Sequence, residues 1–89
     1  MKIPKSFKLG AITWTVSELK TLPSAMGVTT FDHAKIEVLE GLSTQVKKQT
    51  FCHELVHAIL NSMGKPMPHD EEFVDAFAVF LHQYLETAK

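Results

Sequence analysis

The stretch from Ser43 to Gly64, STQVKKQTFCHELVHAILNSMG, decides how this chain folds. It begins with two hydroxyl side chains, Ser43 and Thr44, either of which is a suitable helix N-cap, and it ends at a glycine, which commonly terminates helices. We therefore predict one helix over this stretch. From Phe51 to Leu60 the helix is apolar on almost every side, so we expect most of its surface to be buried.

A second helix is predicted after the prolines Pro66 and Pro68, which prevent the first helix from continuing. It runs from Asp70 to about Thr87 and has acidic residues in its first turn, where the helix dipole favours them. Its apolar residues recur at helical spacing, and we expect them to pack in the core: Phe73, Val74, Phe77, Ala78, Leu81, Tyr84 and Leu85.

The residues before Gly41 have the pattern of β-strands. A β-branched and aromatic run with rough alternation is interrupted by Gly10, which predicts one bent strand or a short hairpin: Phe7, Leu9, Ile12, Trp14 and Val16. Residues 28–31 and 35–39 predict two more strands. The chain is thus expected to be a single α+β domain over residues 1–89, with a small N-terminal antiparallel sheet of about three strands followed by two helices.

Composition excludes several classes of function. The 89 residues are 45% hydrophobic and 21% charged, which is typical of a globular protein and not of a disordered one. The formal net charge is -1, and all nine cationic side chains are lysines. Without arginine or a basic excess, nucleic acid is not expected as a partner.

The single cysteine, Cys52, cannot form an internal disulfide, which favours a reducing compartment. The N-terminal residues lack the apolar run of a signal peptide, and no stretch is long and apolar enough to span a membrane. We therefore expect a cytoplasmic protein with no membrane partner.

The sharpest chemical signal is the sequence His53-Glu54-Leu55-Val56-His57. Four residues advance a helix by about 6 Å and about 400°, so both imidazoles project from one face and can converge on one metal ion. Glu54 borders that ion without binding it and can accept a proton from a water molecule that the metal activates. A hydrogen-bonded histidine pair is the alternative, but three ionisable groups in an apolar helix favour a metal.

A catalytic zinc site needs a third protein ligand, and the residues that can supply it are His69, Asp70, Glu71, Glu72, Asp75 and His82. On a helical wheel Glu71, Asp75 and His82 fall within about 40° of one another beside the apolar stripe. Glu72 points about 100° away from Glu71, towards solvent. This favours Glu71 as the ligand and Asp75 as an acceptor for the outer N–H of a ligating imidazole. His33 and His69 are expected at the surface.

These motifs resemble those of the gluzincin zinc metallopeptidases, in which H-E-x-x-H is followed by E-x-x-x-D, here Glu71 to Asp75. The stretch from residue 44 to 84 is similar to the compact ImmA/IrrE-like metallopeptidases and to small phage and bacterial minigluzincins. The resemblance implies that His53, His57 and Glu71 hold zinc and that Glu54 is the general base.

The resemblance also implies that an edge strand of the sheet binds extended substrate, for which residues 36–39 are the expected segment. In this family a further side chain stabilises the oxyanion, and Tyr84 and His82 are the helical residues of a suitable type.

We therefore expect a zinc-dependent metallopeptidase that acts on a peptide or protein substrate. Two alternatives stay open. One is a catalytically weak or inactive zinc-binding protein with a regulatory or interaction role. The other is a metal-free interaction domain made of a helical hairpin on a sheet. The sequence leaves the substrate and the oligomeric state open.

Overall fold

The computed structural model describes residues 1–89 and contains four strands followed by two helices. The strands are β1 (Ser6–Leu9), β2 (Ile12–Leu19), β3 (Gly27–Thr30) and β4 (Lys35–Leu39), and the helices are α1 (Thr44–Ser62) and α2 (Glu71–Thr87). A 3-10 turn, Phe31–His33, joins β3 to β4. The predicted α+β layout, a sheet followed by two helices, is confirmed. Neither helix is long and apolar enough to cross a membrane.

The sheet has the strand order β1-β2-β4-β3. β1 and β2 form an antiparallel hairpin that turns at Gly10, whose φ of 61° lies in the left-handed region that glycine adopts easily. β3 and β4 are also antiparallel, but β4 pairs in parallel with β2. The expected three-stranded, wholly antiparallel sheet is therefore wrong in these details. After β2 the chain forms β3 at the far edge of the sheet and then returns to place β4 between β2 and β3.

β4 lies in the middle of the sheet, so the expectation that residues 36–39 form a substrate-binding edge is wrong. Ile36 pairs with Val16 on one side and with Thr29 on the other, and its side chain is fully buried. Alternation along a strand identifies its buried face but not its neighbours in the sheet. The edge strand next to the helices is β3.

The core lies between the sheet and α1. Trp14, Ile36 and Val38 of the sheet pack against the buried side of α1, where Phe51 and Val56 are almost completely covered. α2 packs mainly against α1. The sheet, α1 and α2 therefore form successive layers, and α1 is the layer that contacts both others.

α2 buries much less of its apolar surface than the sequence predicted. Val74 and Ala78 are fully buried and Leu81 is half-buried. Four members of the predicted stripe are exposed, namely Phe73, Phe77, Tyr84 and Leu85. Helical spacing shows that a helix has an apolar face but not whether a second element covers all of it, and here α1 covers only one side.

Two side-chain caps set where the helices begin. Ser43 Oγ accepts a hydrogen bond from the backbone N–H of Val46, so Ser43 and not Thr44 is the N-cap of α1. Asp70 accepts from the backbone N–H groups of Glu72 and Phe73 at the start of α2. The second cap makes Glu71 the first residue of α2.

Gly27 is predicted to be intolerant of a side chain because β3 passes close to α1. A Cβ at this position would lie 2.7 Å from Thr50 Cγ2 and 3.1 Å from Glu54 Cγ. Thr50 is buried and β-branched, so it cannot turn aside easily. We expect Gly27→Ala to lower the free energy of unfolding by about 1–3 kcal/mol, measured by urea denaturation.

Gly41→Ala is the matched control, since a Cβ there would meet nothing within 4 Å. We expect it to change the free energy of unfolding by less than about 0.5 kcal/mol. Equal losses in the two variants would contradict a close approach between β3 and α1.

Candidate metal centre

His53, His57 and Glu71 form one cluster, which we call the His/His/Glu cluster. The two imidazoles project from the same face of α1, and the carboxylate arrives from the first residue of α2. His53 Nε2 lies 3.1 Å from Glu71 Oε2, and His57 Nε2 lies 3.0 Å from Glu71 Oε1. The potential ligand atoms all lie within 4.8 Å of one another, so this group can hold a metal ion.

The chemistry of these donors fits a divalent cation. Two imidazole nitrogens and one carboxylate are a common ligand set for catalytic zinc, with a position left for water or substrate. Each Nε2 faces an oxygen of the same carboxylate, and an ionised carboxylate accepts hydrogen bonds but cannot donate them. Either a proton or a metal ion must therefore lie between each nitrogen and Glu71.

Asp75 orients the first imidazole. Its Oδ1 lies 2.8 Å from His53 Nδ1, one helical turn beyond Glu71 on α2. The carboxylate accepts a hydrogen bond from Nδ1–H, which leaves Nε2 to face the cluster. The sequence proposed Asp75 as an acceptor for one of the ligating imidazoles, and the structure places it against His53.

His69 orients the second imidazole, whereas the sequence predicted only a surface position in a loop for it. It is half-buried, and its ring stacks on that of His57 with centroids 5.0 Å apart and an interplanar angle of 19°. His69 lies in the loop between α1 and α2, which folds back over α1. An irregular loop has no period, so no sequence pattern indicates this contact.

The hydrogen bonds of His69 determine which nitrogen of His57 carries its proton. His69 Nε2 lies 2.6 Å from the backbone carbonyl oxygen of Lys65, so this nitrogen must donate. In neutral His69 the other nitrogen, Nδ1, then has no proton, and it lies 2.7 Å from His57 Nδ1. His57 Nδ1–H must donate across this distance, which leaves the lone pair of His57 Nε2 for the cluster.

Burial also favours the neutral form of His57. The side chain is 7% exposed, and its removal from water lowers the pKa of His57 below the ordinary value of 6.5. The carboxylates of Glu71 and Glu54 act in the opposite direction but do not cancel the effect of burial. A neutral imidazole is the form that binds metals.

Glu54 lies beside the cluster and faces β3. The Thr29 hydroxyl is 2.7 Å from Glu54 Oε1 and 3.1 Å from the Glu54 backbone carbonyl oxygen. Glu54 Oε2 forms no hydrogen bond within the protein. Sequence reasoning missed Thr29, because its role depends on how β3 sits against α1 and no local motif marks it.

The cleft between β3 and α1 runs past Glu54 on both sides. One part of it lies over the His/His/Glu cluster and is lined by Thr29, Phe31 and Met67. The other part is lined by Met26, Val46 and Gln49. Gly27, His53 and Glu54 line both parts, so the carboxylate of Glu54 lies near the middle of a groove that follows β3.

The other residues singled out from the sequence lie outside the His/His/Glu cluster. Glu72 and His33 are exposed. His82 Nδ1 contacts Gln49 Oε1 at 2.7 Å, and its Nε2 is 3.3 Å from Glu86 Oε1. Tyr84 lies on the exposed side of α2. The structure therefore brings neither His82 nor Tyr84 into contact with the cluster.

Comparison of the chain with protein-family models, curated proteins and solved structures finds no match.

His69→Ala should weaken metal binding without removing a residue of the cluster. Loss of a hydrogen-bond partner that orients a ligating imidazole typically costs about 10–100-fold in metal affinity. We expect a loss of this size for zinc, measured by competition with a chromophoric chelator. His33→Ala is the control, since His33 is exposed and is not a member of the cluster. An unchanged affinity in His69→Ala would show that the contact with His57 has no orienting effect.

The lowered pKa of His57 predicts how the stability of the metal-free protein depends on pH. Since the unfolded chain protonates this imidazole near pH 6.5 and the folded chain only at lower pH, the unfolded state binds more protons in between. The contribution of His57 to the free energy of unfolding is therefore present above pH 6.5 and falls as the pH drops towards the folded pKa.

Urea unfolding at pH 7.5 and 5.5 measures this effect in metal-free protein. We expect a smaller decrease between the two pH values in His57→Gln than in the parent, and the parental decrease in His33→Gln. An identical pH dependence in parent and His57→Gln would contradict the effect of burial.

Proposed function

We propose that this chain is a zinc-dependent metallopeptidase in which His53, His57 and Glu71 hold the metal and Glu54 is the general base. The observation that carries the proposal is the convergence of the three potential ligands within 4.8 Å beside a separate carboxylate with one unbonded oxygen. The resemblance of the two motifs to those of gluzincins supports the same conclusion. We also propose that it acts in the cytoplasm, since its one cysteine is unpaired and buried.

Zinc is the metal we propose, because two imidazoles and one carboxylate form a typical catalytic zinc set. Bound Zn²⁺ lowers the pKa of a coordinated water to about 7 and polarises a carbonyl oxygen. Asp75 and His69 support this function by fixing the ring orientation of His53 and His57 respectively.

Glu54 is suited to proton transfer through its Oε2 atom. The Thr29 hydroxyl holds Oε1, so the carboxylate has a fixed orientation and keeps its second oxygen for a water molecule in the cleft. After accepting the proton, the same oxygen can give it to the nitrogen that leaves when the peptide bond breaks. Only 9% of Glu54 is exposed, which limits competition from bulk water.

β3 is the segment that we propose binds the substrate. It is an edge strand with a partner on one side only, and the cleft that contains Glu54 follows it. An extended peptide can add to such an edge through backbone hydrogen bonds. This assignment replaces residues 36–39, which lie in the central strand β4.

Glu54→Gln tests the mechanism. We expect it to lower the rate of peptide cleavage by about 10²–10⁴-fold, because the amide cannot accept the proton, while one zinc ion per chain is retained. Cleavage is measured on a peptide library with the zinc-loaded full chain, and zinc is measured by elemental analysis.

Two controls accompany this variant. Glu72→Gln changes an exposed glutamate of the same helix turn as Glu71 and should leave both zinc content and cleavage unchanged. The double variant His53→Ala, His57→Ala should bind no zinc and cleave nothing. Parental cleavage by Glu54→Gln would show that the mechanism is wrong.

A zinc-binding protein without peptidase activity is the second candidate function. It is favoured by the positions of His82 and Tyr84, neither of which contacts the cluster to stabilise an oxyanion. In this case zinc at 100 times its dissociation constant would add about 2.7 kcal/mol to the free energy of unfolding, but no peptide would be cleaved. A free energy of unfolding that does not change on addition of zinc would contradict both candidates.

A further inference from the structure

α2 carries a row of exposed aromatic side chains on the side that faces away from α1. We call this row the aromatic seam and define it as Phe73, Phe77, Phe80 and Tyr84. These side chains are 48%, 50%, 69% and 66% exposed. Together with Ala76 and Leu81 they line a shallow depression made entirely of apolar and aromatic residues. Continuous exposed apolar patches often mark sites of contact with another protein.

The spacing of the seam is that of a helix that packs against another helix. Its members follow one another by four, three and four residues, which is the a/d spacing of a heptad repeat. The neighbours that flank the seam are Ala76, Leu81 and Gln83, none of which is charged. A second helix can therefore approach closely without burying an unpaired charge.

We propose that the aromatic seam is occupied by a second copy of this chain, with the two α2 helices packed antiparallel. A two-fold symmetric interface uses the same patch on both copies, so an uncharged seam with heptad spacing is complementary to itself. The first turn of α2 and its cap contain Asp70, Glu71 and Glu72. Glu71 faces α1, but parallel packing would bring Asp70 and Glu72 of the two copies close together, whereas antiparallel packing separates these like charges by most of the helix length.

The chain exposes more surface than a typical monomer of its mass. Its accessible surface is 5959 Å², whereas a folded monomer of this mass typically exposes about 5,200 Å². The radius of gyration is 12.4 Å, close to the value of about 12 Å for a compact chain of this length, so no extended segment accounts for the difference. The excess is similar to the roughly 800 Å² that each partner buries in a standard interface.

The antiparallel arrangement predicts which side chains meet. The midpoint of the seam lies between Phe77 and Phe80, so the two-fold axis passes near these residues. Phe73 of one copy then lies beside Tyr84 of the other. In a parallel arrangement each residue would instead lie beside its own equivalent.

The oligomeric state of the full chain tests the proposal. We expect sedimentation equilibrium at micromolar concentration to give twice the chain mass of 10.0 kDa. Phe77→Lys and Phe80→Lys should each give the mass of one chain with an unchanged circular dichroism spectrum, because both side chains are exposed within a single copy. Val79→Lys is the matched control, since Val79 is 49% exposed on the same helix but lies outside the seam.

Disulfide trapping tests the orientation of the helices. We expect the double variant Phe73→Cys, Tyr84→Cys to form a covalent dimer on mild oxidation, and neither single variant to do so. The native Cys52 does not compete, because it is buried and its pKa is raised to about 11 by burial. Trapping of Phe73→Cys alone would show parallel packing and overturn the antiparallel arrangement.

Three results would overturn the proposal as a whole. The first is a parental chain that stays monomeric at micromolar concentration, which would leave the seam to a different protein. The second is a dimer that survives both lysine substitutions in the seam. The third is a dimer that Val79→Lys dissociates as fully as Phe77→Lys does.

Discussion

The contact of the Glu71 carboxylate with two imidazoles of α1 is the interaction on which the candidate site depends. It joins the two helices at a point where their apolar contact is small, since Val74 and Ala78 are the only fully buried residues of α2. The carboxylate stands at the first residue of α2, where the positive end of the helix dipole stabilises its charge. The position of Glu71 in turn depends on where α1 ends and where α2 begins. The Asp70 cap sets the start of α2.

The two histidines are held by partners of different kinds that come from one short part of the chain. Asp75 contacts His53 from α2, and His69 contacts His57 from the loop. The twelve residues from Gly64 to Asp75 therefore supply Glu71 and both orienting groups, whereas α1 supplies the nitrogens. Because this segment approaches the imidazoles on more than one side, a change in how the loop folds would disturb ring orientation and the third ligand together.

The parts of the site that the sequence predicted are those that depend on the geometry of a single helix. The four-residue interval between His53 and His57 places both rings on one face of any helix, and the same argument pairs Glu71 with Asp75. The geometry of a single helix does not predict contacts between different elements. Thr29 reaches Glu54 only because β3 is the edge strand beside α1, and the position of β3 follows from the crossover and not from its own residues.

The same distinction explains the errors in the fold. The hydrophobic periodicity of α2 correctly predicts a helix, but the helix has apolar residues around more of its surface than α1 can cover. Likewise, the alternation of Ile36 and Val38 identified a strand with one buried face but not its central place in the sheet. The residue pattern determines whether a segment forms a helix or a strand. Which elements lie next to it depends on packing throughout the whole chain.

α2 links the proposed metal site to the proposed dimer interface, because one side of this helix contacts the metal and the opposite side contacts a second copy of the chain. Only 12 of 89 residues are buried, so the chain gains little stability from its own core, as expected for a small domain. A metal ion on Glu71 and a second copy on the aromatic seam each favour the state in which α2 is helical and docked. Two ligands that favour the same state strengthen each other's binding by the same factor. Zinc should therefore tighten the association of the chains by the same factor by which association tightens the binding of zinc. The size of this coupling is set by how much of the chain has α2 undocked from α1 when neither zinc nor a second copy is bound.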